Sequence, residues 1–337
     1  MASSTNGRLG SMQSVEVSTR LGAAAVTSVL ELISQAETAL GYRPVSDQFW
    51  IDFGRDASDD VIRIRLHESE SAIPVIYAQV SSAAGVWSVE SVVRPDRHDQ
   101  LGEYMHRVLD ATITAIGTRT LEQRHGEASN GEFRDVQLTW LVYAPTETHD
   151  AIAGAFGLEP TRRLYQMYRA LPTGIAYTLK TRPFEPGRDD QAWLSVNQRA
   201  FAWNPEQGMW SLETLRSRIA EPWFDASGFL LHEREGRLAG FCWTKIHDNS
   251  SPALGEIYVI AVDPEFHGLG LGRALTLAGL DSLAARGIGT GMLFVDADNA
   301  AGVGLYRALG FTVGRTDCMY QGRVTTHRIV TVKGDGE

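Results

Sequence analysis

The chain has 337 residues, 43% hydrophobic and 21% charged, with 31 Lys and Arg against 41 Asp and Glu for a net charge of −10. At roughly 100–200 residues per domain this is about two globular domains, and an ordinary apolar content argues against extensive disorder. The acidic balance and the lack of a Lys/Arg block argue against a nucleic-acid partner, no run reaches the ~20 apolar residues of a membrane span, and any bound anion must be held locally, by backbone N–H groups and a few placed cations.

The first residues, through Ser14, are small and polar and are expected to lie outside the fold. The apolar run Leu21 to Leu30 could pass for a signal core, but it continues into Glu31, Gln35 and Glu37 at helical spacing and reads as an amphipathic helix to Leu40. Strands are predicted at Val61–Leu66, Ile73–Val80 and Val86–Val93. After Pro95, Leu101–Ile116 reads as a helix, Val136–Tyr143 as a strand, Thr148–Phe156 as a helix stopping at Gly157, and Leu164–Ala170 as a strand. A break at Leu171–Gly174 follows. Beyond it come a strand at Ala176–Pro183, helices at Asp189–Phe201 and Ser211–Ile219, and strands at Gly228–His232, Gly240–Lys245 and Gly255–Val262. A helix at Gly270–Ala285, a strand at Gly291–Val295 and a helix at Asn299–Leu309 lead to closing strands at Cys318–Gln321 and Arg328–Val332.

Two stretches repeat in the same order. The segment from Ser88 to Asp96 echoes Glu256 to Glu265, and Ala155-Phe-Gly-Leu-Glu echoes Ala308-Leu-Gly-Phe-Thr. They suggest a duplicated domain, divided near Pro172 into residues 15–172 and 173–333. The cysteines are Cys242 and Cys318, with no CxxC pair, which disfavours a zinc knot or redox dithiol. One long-range disulfide is possible; two reduced thiols in a cytoplasmic protein without a metal is the preferred reading.

The chemistry concentrates where a buried strand ends at Asp263-Pro264 and glycines Gly268, Gly270 and Gly272 lead into a helix. Leu271, Ala274, Leu275 and Ala278 form that helix's apolar stripe. Glycines allow close backbone approach, and the helix start offers unpaired N–H groups and a positive dipole end, which together cradle a pyrophosphate. A P-loop is excluded because no Lys-Ser/Thr follows the glycines, and a dinucleotide fingerprint fails because its third glycine position holds Arg273. A plain glycine turn would not need three alternating glycines.

The run Phe266-His267-Gly268-Leu269-Gly270-Leu271-Gly272-Arg273 resembles the CoA pyrophosphate loop of the GNAT acetyltransferases, with His267 where Arg or Gln is common. The later Tyr306-Arg-Ala-Leu-Gly310-Phe311 resembles that family's closing helix. Phe201-Ala-Trp-Asn-Pro-Glu-Gln-Gly, Trp223-Phe-Asp, Phe241-Cys-Trp-Thr-Lys and Leu254-Gly-Glu-Ile-Tyr-Val are similar to the mycothiol synthases within it. The match is dense from about Ala200 to Tyr320 and thin before.

The resemblance implies an α/β (α+β) chain with two GNAT domains in tandem, each a mixed, mostly antiparallel sheet flanked by helices. It implies transfer of acetyl from acetyl-CoA to the cysteinyl amine of a cysteine–glucosamine–inositol conjugate, directly, in a ternary complex. Glu256 would be the general base and Tyr306 the acid for the CoA thiolate. Reference pKa values of about 7.7–8.0 for an α-amine, about 10 for a phenol and about 8.5 for a thiol suit those roles. Cofactor contacts would come from Ile260, Ala261 and Val262, from His267, Gly268, Leu269, Gly270, Leu271, Gly272 and Arg273, and from Asn299, Ala300, Ala301, Gly302, Val303 and Gly304.

Asn299 equally reads as a helix N-cap, and Gly304 lacks the cation the family often has there. Asp47, Glu206, Lys245, Glu256 and Phe294 would contact the acceptor, Phe294 replacing a common Tyr. Trp203, Trp210, Trp223 and Trp243 read mainly as core. The partner is thus a small thiol-sugar, and the chain is expected to act as a cytoplasmic monomer. In the first half, Gly102 alone remains of the loop glycines, and Asp99 and Glu103 would repel phosphates. That half is expected to be catalytically silent. A tandem GNAT acting on another small amine or peptide N-terminus, or a non-catalytic CoA sensor, remains the alternative.

Overall fold

A computed structural model describes residues 14–54, 60–68, 71–83, 85–122, 134–248 and 252–326. In chain order the elements are β1 (Ser14–Ser18), α1 (Ala23–Leu40), α2 (Asp47–Phe53), β2 (Val61–His67), β3 (Ile76–Ala83), β4 (Val86–Val93), α3 (Leu101–Glu122), β5 (Arg134–Tyr143), α4 (Glu147–Ala155) and β6 (Glu159–Ala170). There follow β7 (Arg182–Pro183), α5 (Asp190–Ala200), α6 (Pro205–Gly208), α7 (Leu212–Ile219), β8 (Phe229–Arg234), β9 (Arg237–His247), β10 (Leu254–Val262), α8 (Leu271–Ala285), β11 (Thr290–Asp296), α9 (Ala300–Ala308) and β12 (Thr312–Thr326). They form two compact units, one of Met1–Arg163 with Asp317–Glu337, the other of Leu164–Thr316.

In the first unit the sheet order is β1-β2-β3-β4-β5-β12. The pairs are antiparallel except β4 with β5, which run parallel over Val86–Val89 and Gln137–Trp140. α1 buries Val29, Leu32, Ile33 and Ala36, an i, i+3, i+4, i+7 stripe, against Phe49, Tyr77 and Val92. Gly41 stops it in the left-handed region, at φ 74°. The opposite sheet face, with Ile62, Ile64, Ala78 and Val80, is covered by Tyr104, Met105, Val108 and Leu109 of α3.

The second unit repeats this plan in the order β6-β11-β10-β9-β8-β7. β10 and β11 are parallel over Gly255–Ile257 and Gly291–Leu293, and the other recorded pairs are antiparallel. One face carries Cys242, Ile257 and Leu293 against Leu275, Leu280 and Leu283 of α8 and Val303 of α9. The other carries Phe229, Phe241 and Trp243 against Trp193 of α5 and Leu215 of α7. α8 lies close to the sheet because residue 279 is glycine: a Cβ there would meet Cys242 Sγ and come within 2.7 Å of Ile257 Cδ1.

Three expectations need correction. Of the strand expected at Ala176–Pro183, only Arg182–Pro183 pairs, with β8; Ile175, Tyr177 and Leu179 alternate into the core beside α8 without a ladder. The expected division at Pro172 falls inside the second unit, which begins at Leu164. The closing strand expected at Cys318–Gln321 is part of the longer β12, whose residues from Asp317 to Thr326 pair with Tyr143 to Arg134 of β5, in the first unit. The second sheet takes its sixth strand from β6, where Leu164 to Ala170 pair with Asp296 to Thr290. Each sheet is thus completed by a strand from the other half of the sequence, because alternation records which residues are buried and not which strand they join. Residues 1–13 and Arg328–Val332 lie outside the described residues, and Ser14 opens β1.

Candidate active site

The cofactor loop is anchored before it opens. Asp263, fully buried, caps the turn Pro264–Phe266 by accepting from the Glu265 N–H at 3.1 Å, and its carboxylate pairs with Arg199 of α5. Burial pushes its carboxyl up, but Arg199 and the Glu265 N–H outweigh it and hold it below the ordinary value. Phe266 is buried under Arg237, and His267 Nε2 lies 3.1 Å from Val262 O. Gly268 and Gly270 then take φ of 80° and 72°, which an L side chain adopts only with strain. A Cβ on either meets nothing within 4 Å, so the space above the loop is open.

Gly270 caps α8, whose first turn holds no acidic residue. Its first intrahelical donor is Ala274, at 3.2 Å from Gly270 O. The N–H groups of Leu271, Gly272 and Arg273 therefore face outward, at the positive end of the helix dipole. α9 converges on this point: a Cβ on Gly272 would lie 3.7 Å from Leu305 Cδ2 and 4.0 Å from Val262 Cγ2. Asn299 caps α9 by accepting from the Gly302 N–H at 2.9 Å. Ala300, Ala301 and Gly304 leave its outer surface bare, and nothing lies within 4 Å of a Cβ on Gly304.

Tyr306 is buried one turn on, edge-to-face with Phe311 at 5.8 Å. Burial raises its phenol above the ordinary value, and nearby Cys242 adds to this. Among the described residues its hydroxyl has no hydrogen-bond partner.

Glu256 stands on the opposite sheet face. It faces Lys245 of β9 and Met292 of β11 in the register, and its carboxylate, 9% exposed, lies 2.7 Å from His247 Nε2. Lys245 is buried with its ammonium 4.6 Å from the Trp223 ring and 5.5 Å from the Tyr258 ring. The β9–β10 register shifts between Ile257 and Val259, a bulge that turns both Tyr258 and Val259 toward the aromatic face. The β10–β11 pairing ends at Ile257 and Leu293. Beyond it Val259 to Val262 keep only their β9 ladder, and the backbone of Ile260, Ala261 and Val262 faces a gap on the β11 side.

The donor set fits a pyrophosphate-bearing cofactor: open glycines, outward N–H groups, the exposed cation Arg273 and no carboxylate in the first turn. The matching place in the first unit does not. A turn over Pro95–Gln100 runs straight into α3, where the Leu101 N–H is already bonded to His98 O. Arg94 and Arg97 are paired with Glu68 and Asp96 at 2.7–2.9 Å. Arg97, followed by Arg94 and the Tyr104 hydroxyl, holds the Glu68 carboxyl at about 2 despite partial burial. Internal carboxylates thus take the place an anion would need.

Lys245, Glu256 and Phe294 share one face of the second sheet, Phe294 half-buried opposite Gln166. Asp47 opens α2 in the first unit, after the cap Ser46. Glu206 lies on α6, and its side chain is outside the described ones. Trp193, Trp210 and Trp243 are core, whereas Trp203 is 60% exposed. Sequence reasoning missed His247, two residues after Lys245 and so on the same face, and Gln166, buried with Oε1 unpartnered. Among the described residues no group of His, Cys, Asp or Glu could hold a metal ion, and no helix is long and apolar enough to cross a membrane.

Residues 193–311 match the acetyltransferase (GNAT) family. The mycothiol acetyltransferase of Thermobispora bispora is 39% identical over 303 residues, 87% of this chain and 95% of its own. That of Streptomyces griseus is 40% identical, over 89% of this chain and 93% of its own. A GCN5-related N-acetyltransferase from Sphaerobacter thermophilus superposes with a TM-score of 0.68 at 19% identity, covering 94% and 98% of the two chains. A tandem GNAT protein from the clavulanic acid biosynthesis pathway gives 0.64 at 16%, covering 92% and 98%. At these identities the two structures speak for the fold alone.

Proposed function

The chain belongs to the mycothiol acetyltransferases and is an acetyltransferase of mycothiol biosynthesis, and from that premise we propose that its second unit alone binds the donor and performs the transfer. The donor is acetyl-CoA, which supplies the electrophilic acyl carbon of a thioester. Its pyrophosphate rests on the N–H groups of Leu271, Gly272 and Arg273, with His267, Gly268, Leu269 and Gly270 shaping the loop. Residues 299–304 pass beside it, Asn299 acting as the cap. The backbone of Ile260 to Val262 lines the gap after Ile257 and polarises the thioester carbonyl.

The acceptor is the cysteinyl amine of the cysteine–glucosamine–inositol conjugate, held on the face that carries Lys245, Glu256 and Phe294, with Glu206 as a further contact. Glu256 takes a proton from the ammonium, freeing its lone pair to form the amide C–N bond. As the tetrahedral adduct collapses and the C–S bond breaks, Tyr306 gives its phenol proton to the sulfur, and the second proton lost from the nitrogen passes through solvent to restore the phenol. Burial suits it to that task, because it stays protonated at neutral pH.

The transfer is direct. Cys242 and Cys318 are unbridged and buried, and burial pushes Cys242 up to about 12 and raises Cys318, so neither is a thiolate able to carry an acyl group. Two reduced thiols also suit the cytoplasm.

The observation that carries this reading is the open glycine loop beneath a strand that presents Glu256 at its break. Turnover of acetyl-CoA with the conjugate, against a panel of other amines and N-terminal peptides, tests it. A marked preference in kcat/KM for the conjugate is expected. Equal use of the other amines refutes the acceptor assignment, and binding without turnover makes the chain a sensor.

A further inference from the structure

The transfer as written leaves one buried contact unexplained. β9 and β10 pair with Lys245 opposite Glu256 and His247 opposite Leu254, ahead of the bulge. Lys245 and His247, two apart on one strand, share the face of Glu256. His247 reaches diagonally across, its Nε2 2.7 Å from Glu256 Oε2, the carboxylate 9% and the imidazole 24% exposed. A surface ion pair at that distance would contribute little. This one is largely out of water, and it engages the carboxylate assigned to take the proton.

We propose that His247 is a positioning residue for Glu256: its Nε2–H donates to Oε2, fixes the side-chain rotamer and leaves Oε1 to take the acceptor's proton. The inference rests on the reading of Glu256 as base. A free glutamate carboxylate samples several rotamers, and ordering it opposes the reaction unless the fold has already done so. In the step itself an N–H bond of the ammonium breaks and an O–H bond forms at Oε1. The His247 N–H remains on Oε2 throughout.

The test measures steady-state kinetics with acetyl-CoA and the conjugate for His247→Phe, His247→Gln, His247→Ala and Glu256→Gln. His247→Phe keeps a planar ring without the N–H and is expected to lower kcat about 10- to 100-fold, with KM for acetyl-CoA unchanged. His247→Gln restores an N–H at similar reach and should recover kcat to within about 3-fold. Added imidazole should raise kcat of His247→Ala, which reads the same interaction should the Phe variant fail to fold. Wild-type kcat in His247→Phe beside an inactive Glu256→Gln overturns the positioning role and leaves the base standing. A defect that neither the amide nor imidazole relieves marks His247 as merely structural and also overturns it. Wild-type turnover in Glu256→Gln removes both readings.

Discussion

Tyr306 and Glu256 sit on opposite faces of one sheet, each in a setting that suits the part proposed for it. The phenol lies in an apolar cluster with Phe311 and Cys242 as neighbours, and desolvation disfavours the phenolate. With its value raised, Tyr306 keeps its proton up to and beyond the ordinary range of about 10, so its titration should not limit kcat on the alkaline side below that pH. Tyr306→Phe removes the proposed proton donor while keeping the ring contacts. Among the described residues the hydroxyl has no partner to lose, so stability should change by less than about 1 kcal/mol in urea unfolding. kcat should fall about 10- to 100-fold with KM for acetyl-CoA steady; an undiminished kcat would remove Tyr306 as the acid. Both candidates could be singled out in the sequence because each sits inside a spaced motif. His247 was not, because after Lys245 it reads as ordinary strand alternation, and its partner appears only once β9 and β10 are in register.

At the scale of elements, glycines do two separable jobs. Gly270 takes a left-handed φ of 72° in open space, at the cap of α8. Gly279 has ordinary helical geometry but no room, with Ile257 Cδ1 2.7 Å from an added Cβ. Gly270→Ala should strain the loop by about 1–2 kcal/mol and weaken acetyl-CoA binding about 10-fold in calorimetry, since the outward N–H groups shift with it. Gly279→Ala should destabilise by about 1–3 kcal/mol through overpacking and leave that affinity nearly unchanged. Gly102→Ala, at the matching place of the first unit, meets only Thr148 Cγ2 at 3.8 Å and should alter neither; a loss of acetyl-CoA affinity there would argue that the first unit takes part. The loop was readable because positive-φ glycines before a helix leave a spacing signature. The segment 175–181 misled because its alternation is real and packs Ile175, Tyr177 and Leu179 against the core, yet only Arg182–Pro183 enter a ladder among the described residues. α2, with seven residues, is too short to show a helical period.

At the scale of the molecule, duplication was visible in the repeated segments, but the exchange of final strands was not. β6 and β12 carry apolar patterns suited to either sheet, and only the ladders reveal that Leu164–Ala170 joins β11 and Asp317–Thr326 joins β5. Cutting the chain at Pro172, the boundary the sequence suggests, therefore leaves each half incomplete. Residues 1–172 would lack the Asp317–Thr326 strand and expose the β5 edge, uncovering Trp140, Val142 and Leu138, now buried with Tyr320 and Val324. Residues 173–337 would lack Met167, a fully buried member of the second core, and leave β11 unpaired on one side. An open apolar edge invites aggregation. Expressed singly, both fragments should be insoluble or lack cooperative unfolding, whereas co-expression should recover a soluble pair that turns over acetyl-CoA. A folded, active 173–337 fragment would contradict this and would make the second half self-sufficient. Failure of the single fragments with success of the pair would make the first half a structural requirement for catalysis by the second.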